Sequence, residues 1–174
     1  MIKKLLLIAL IAVPMCLSAQ NLKFGTVNSQ QIFEIMPEKD AAEKTLAEVS
    51  KKYEEEFKKL QDNFQKQYTE FQSLDENTPK SIQERRMQEL QESQNKIQNF
   101  QQMAAQDIQK QQEALLAPIT EKLQQAIQSV GKENSFTFIY DLSIPSVVYY
   151  GAPAEDVTPL VKAKLGLKDT PAAK

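Results

Sequence analysis

Between residues 46 and 71 the apolar side chains are Leu46, Val49, Tyr53, Phe57, Leu60, Phe64, Tyr68 and Phe71, in steps of 3, 4, 4, 3, 4, 4 and 3. This is a repeat of eleven residues over three helical turns, about 3.67 residues per turn. It keeps the stripe nearly parallel to the axis of one long helix, or drifting slightly right-handed. A second stretch has the same period. Ile97, Ile108, Ile119 and Val130 stand eleven apart, with Ala104, Leu115 and Ala126 in a parallel register. Leu74 closes the first run and residues 75–80 interrupt the pattern, with Thr78 suited to cap a helix and Pro79 to its first position. Two helices of one period joined by a short turn pair antiparallel as a hairpin. With roughly 35 residues on each side, the hairpin is at least about 50 Å long. A chain of 174 residues folded this way is elongated.

The flanking segments read differently. Leu22 to Val27 has strand character, and Asn28 to Met36 makes one or two helical turns before Pro37. The first long helix starts at Glu38. In the second, Pro118 removes a donor and crowds the carbonyl of Ala114, which predicts a kink, and Gly131 with Asn134 predicts the end. Phe136 to Asp141 and Ser146 to Tyr150 read as strands separated by a turn at Leu142 to Pro145, and Asp156 is placed to cap a last helix ending near Leu165. The expected fold is mainly α with a small β body, a long antiparallel α-helical hairpin being inserted between strands. Residues 20–37 and 131–174 form the body, and 38–130 form a coiled-coil arm with its tip near 75–80. Three short strands supply few core side chains and leave their edges open, so the body is expected to be oligomeric.

Residues 1–19 read as a secretory signal peptide: Lys3 and Lys4, an apolar run from Leu5 to Val13, then Ser18 and Ala19. The run is too short to span a bilayer. Met15 before Cys16 is larger than a lipoprotein signal normally accepts. Removing Lys3, Lys4 and the sole cysteine leaves 19 basic against 23 acidic side chains, a net charge of -4 with no disulfide. A periplasmic protein is expected.

Composition argues against several functions. With no His and one Cys in 174 residues, the commonest general base is missing and no thiol cluster can hold a metal or a cofactor. Phosphate-binding glycine loops are absent, and the acidic balance gives nucleic acid no electrostatic purchase. Asp107, Asp141 and Asp156 read as helix-face, turn and capping residues, so no enzyme is expected and no cofactor is assigned. The surface is more informative. Tyr53, Phe57, Phe64, Tyr68 and Phe71 are expected to pack against the facing helix, with some area left for a concave surface. Met87 and Met103 point away from the stripe and suit promiscuous apolar contacts. The candidate contact residues are thus Tyr53, Phe64, Tyr68, Phe71, Met87 and Met103.

Three stretches carry a resemblance. Phe24-Gly25-Thr26-Val27-Asn28-Ser29-Gln30-Gln31-Ile32-Phe33 is the first. Leu116-Ala117-Pro118-Ile119, followed by Ala126-Ile127 and Val130-Gly131-Lys132-Glu133, is the second. Phe138-Ile139-Tyr140-Asp141, Val147-Val148-Tyr149-Tyr150 and Asp156-Val157-Thr158 complete it. In this order around a hairpin they resemble the Skp (OmpH-like) family of periplasmic chaperones. The resemblance implies a homotrimer whose body is a small β-barrel made of strands from three chains, with arms enclosing a cavity. It also implies that unfolded outer-membrane β-barrel proteins are held there without ATP. The chain departs from the family in charge. Better-known members are strongly basic with cationic tips, whereas residues Glu76 to Lys96 here balance four acids against four bases. Net charge therefore gives no support to lipopolysaccharide or membrane contact. The rival reading is a structural or adaptor coiled coil docking to a fixed partner.

Overall fold

The computed structural model describes residues 22–168; the signal peptide read from the sequence lies outside them. The described chain is mainly helical with a few small strands. In order come β1 (Phe24–Val27), α1 (Ser29–Glu34), α2 (Pro37–Gln72), α3 (Lys80–Glu133), β2 (Phe138–Asp141), β3 (Glu155–Asp156) and α4 (Thr158–Lys164).

The two long helices run in opposite directions against each other. Glu38 meets Lys122 in an ion pair, Tyr53 hydrogen-bonds Asp107, and Glu70 lies 3.9 Å from Arg86. At 1.5 Å per residue, the 36 residues of α2 span about 54 Å and the 54 of α3 about 81 Å. The surplus length of α3 forms its root, and there the stripe becomes a true core. Ile119, Leu123, Ala126 and Val130 are buried against Val27, Ile32, Met36, Ala42, Val157 and Val161. Their 4-3-4 spacing puts one face of the root under the elements from both chain ends.

β1 is the middle strand of a three-stranded parallel sheet ordered β2-β1-β3, with Gly25 opposite both Ile139 and Glu155. A Cβ at Gly25 would lie 3.1 Å from the Phe136 ring and 3.2 Å from Ile139 Cγ1, so any larger residue would need those side chains to shift. At the end of α4, Gly166 adopts φ 70°, and Leu167 N–H returns to Lys162 C=O at 2.9 Å, closing the helix with a Schellman-type turn.

Several expectations are corrected. Ser146 to Tyr150 is not a strand; the third strand is the two-residue β3, which begins five residues after Tyr150. A strand exists only through a ladder, and within this chain both sides of β1 are already taken. Thr78 makes no side-chain cap. Pro79 holds the cap position and Lys80 is the first helical residue, the Thr78 carbonyl accepting from Gln83 Nε2 at 2.9 Å. Gly131 does not stop α3, which continues to Glu133, where Asn134 caps it through Val130 C=O. A Cβ at Gly131 would lie 3.2 Å from Ile139 Cδ1, so its small size serves packing of the root against β2. Pro118 lies inside α3, where the sequence places it.

Asp141 ties the sheet to α1. It accepts from Ser29 N–H at 3.1 Å, from Ser29 Oγ, and from Ser143 N–H at 3.0 Å. Burial pushes its pKa upward, but these donors outweigh that, and the net shift is below the ordinary carboxylate value. A depressed folded-state pKa gives stability that is present above the unfolded value, near 4, and lost as pH falls through the folded one. Asp141→Asn is therefore expected to lower the melting temperature at pH 7 and to flatten its decline below about pH 4. A parallel decline in both proteins would remove Asp141 from the acid response.

Candidate functional site

The arm is a pair of helices, and two helices cannot seal the seam between them. From Leu46 to Phe71 no stripe position on α2 is fully buried; all are partly buried except Tyr68, which is exposed. Among the six candidates, Tyr53, Phe64 and Phe71 are half-buried in the seam, Tyr68 is exposed at 41%, and Met87 and Met103 stand at 58% and 52%. Phe64 and Tyr68 stack along α2 with ring centroids 6.3 Å apart. Tyr53 crosses to α3. Its hydroxyl donates to Asp107 at 2.7 Å, and its ring is tilted against Phe100 with centroids 5.9 Å apart. The Tyr53 bond, joined by one from Gln111, holds the Asp107 carboxyl below its usual range. Asp107 is thus a structural pin.

Met87 and Met103 do not share a patch. Sixteen residues at about 100° each put them roughly 160° apart around α3, on opposite flanks of the arm. Phe100 was not among the sequence candidates, yet it borders two grooves. One, of about 450 Å³, also includes Leu60, Lys96 and Met103. The other, of about 380 Å³, is bounded by Tyr53, Phe57, Ala104 and Ile108. The signal for Phe100 was present, because it falls three residues after Ile97 and four before Ala104.

At the body, the outer aromatic side chains form a ladder. Phe24 and Phe138 stack at 6.3 Å and Phe138 and Tyr140 at 6.1 Å, and Phe138 and Tyr140 are exposed. Beside them is a concavity of about 750 Å³ rimmed by Ile144, Val147 and Tyr150. Val148 is 97% exposed and Tyr149 86%.

Among the described residues no group of three or more acidic or thiol side chains could hold a metal, and no helix is long and apolar enough to cross a membrane. A small strand-and-helix body thus carries a long two-helix arm whose apolar seam is only partly covered. The family model described as outer membrane protein (OmpH-like) matches residues 23–165, and the chain belongs to that family. The resemblance drawn from the two chain ends is confirmed. The family is periplasmic, its members are chaperones and not enzymes, and they bind outer membrane proteins and are generally oligomeric. A search of curated proteins finds no match to this chain.

Proposed function

We propose that this chain is an ATP-independent periplasmic holdase that binds unfolded outer-membrane β-barrel proteins between helical arms and prevents their aggregation. The observation that carries the reading is the unsealed seam. A long arm keeps aromatic side chains partly exposed along its seam and Tyr68, Met87 and Met103 openly exposed, offering many weak apolar contacts and no single shaped pocket. Such contacts shield a client without imposing a structure on it. Affinity for the unfolded chain stabilises that state, so release follows from the client's own folding or insertion and requires no nucleotide.

The reading includes a homotrimer. The N–H groups of residues 147–151 donate to nothing among the described residues, and their side chains are largely exposed. An apolar segment with free donors, beside a sheet with an open β2 edge, is suited to pair with strands of neighbouring copies and close a small barrel.

Changing Met87 and Met103 together to Ser is expected to preserve helix content and assembly, since neither packs in the seam. It should weaken suppression of aggregation of a urea-diluted β-barrel protein, whereas raising NaCl to about half molar should matter less, because exposed charges are screened within about 8 to 10 Å and the tip is balanced. The single variants identify which flank faces the client. Holding that collapses in salt while the double variant works like the parent would make the surface electrostatic. Binding of one partner at fixed stoichiometry, without protection of unfolded chains, would favour the adaptor.

A further inference from the structure

We propose that the groove bounded by Tyr53, Phe57, Phe100, Ala105 and Ile108 is a subsite for a basic side chain, lysine or arginine, of an extended polypeptide. The proposal rests on the arm being the surface that holds clients, and adds a charge preference to it.

Three features converge. The groove, of about 380 Å³, is apolar in its walls, with three aromatic rings from two helices. That suits the methylene stem of a long side chain and offers ring faces to its cationic head. Glu54 also lines it, and among the described residues Glu54 is in no ion pair. Finally, the Tyr53 hydroxyl donates to the Asp107 carboxylate, which makes the ring richer in electrons and a better partner for a cation. On the facing helix no Lys or Arg occurs between Lys96 and Lys110. Lys58, one turn beyond Glu54, and Lys51, one turn before it, are the cations that compete from α2.

The chemistry selects against an acidic residue and favours a basic one over a neutral residue of equal length. An exposed ion pair and an exposed cation–π contact together favour arginine by about three- to tenfold at low salt. The test uses the full mature protein and fluorescein-labelled nine-residue peptides, alike except for a central Arg, norleucine or Glu, read by anisotropy.

Binding in the order Arg, norleucine, Glu is expected. Glu54→Gln should bring Arg down to norleucine, and Lys58→Gln should widen the Arg preference. Ala105→Leu, which fills the exposed rim of the groove, should weaken Arg and norleucine alike. Equal binding of the three peptides overturns the proposal, as would happen if another copy of the chain covered the groove. An Arg preference unchanged in Glu54→Gln overturns it as well. Suppression of aggregation of an unfolded β-barrel protein is measured in parallel. Its absence in the parent would remove the holding function, while the peptide series still reads the groove.

Discussion

Val130→Asp is expected to unfold the body and release the root of the arm. Val130 is 2% exposed and lies in one apolar cluster with Val27, Ile32, Val157 and Val161. An unpaired charge at such a position costs several kcal/mol, a large part of the 5 to 15 kcal/mol that keeps a typical domain folded. Ile119→Asp, one eleven-residue repeat earlier, should act in the same direction. Gln128→Asp on the exposed face of the same turn is the control, with a helix-propensity cost of about 0.5 kcal/mol. Circular dichroism melting separates the three. If Ile119→Asp and Val130→Asp melted like the parent, the stripe assignment at the root would be wrong.

The second large effect concerns assembly. Light scattering on the mature protein is expected to give three times the mass of one chain, and Val148→Asp combined with Tyr149→Asp to give the mass of one. Both side chains are almost fully exposed in the single chain, so the substitutions remove nothing from its own core. Loss of assembly with helix content retained would therefore locate the contact between copies. A monodisperse monomer of the parent at micromolar concentration would remove the trimer and with it the enclosed cavity. A trimer unaffected by the two aspartates would move the contact elsewhere.

The long helices were legible because burial in a pair of helices imposes a strict period, and the sequence keeps it for several repeats on each side of the tip. Ile119, Ala126 and Val130 are all buried as that period demands. Residues 146–150 show the limit of local reading. Val147, Val148, Tyr149 and Tyr150 have high β propensity, but propensity cannot supply a neighbour, and β1 has both of its sides occupied. β3 was illegible for the opposite reason. Glu155 and Asp156 carry no apolar pattern, and they pair with β1 because the chain passes that edge on its way to α4, whose first N–H is taken by Asp156 Oδ1 at 2.9 Å. In the arm, the aromatic stripe was readable, whereas the split of Met87 from Met103 onto opposite flanks needed their angular separation to be counted. The groove beside Phe100 arises from two helices together and is visible in neither alone.

The central position of β1 has a consequence for how the chain is made. Its partners lie far along the sequence: Gly25 pairs with Ile139, and Lys23 bonds Thr137 114 residues away. Synthesis delivers the middle strand of the sheet first and its neighbours only after the entire arm. Until then the body has no ladder and no core, since Val157 and Val161 come later still. Such high contact order makes closure of the body a late and slow event. The local contacts of α2 and α3 can form before it. A nascent copy therefore presents an unpaired strand and exposed apolar side chains, the same condition as the proteins it is proposed to protect.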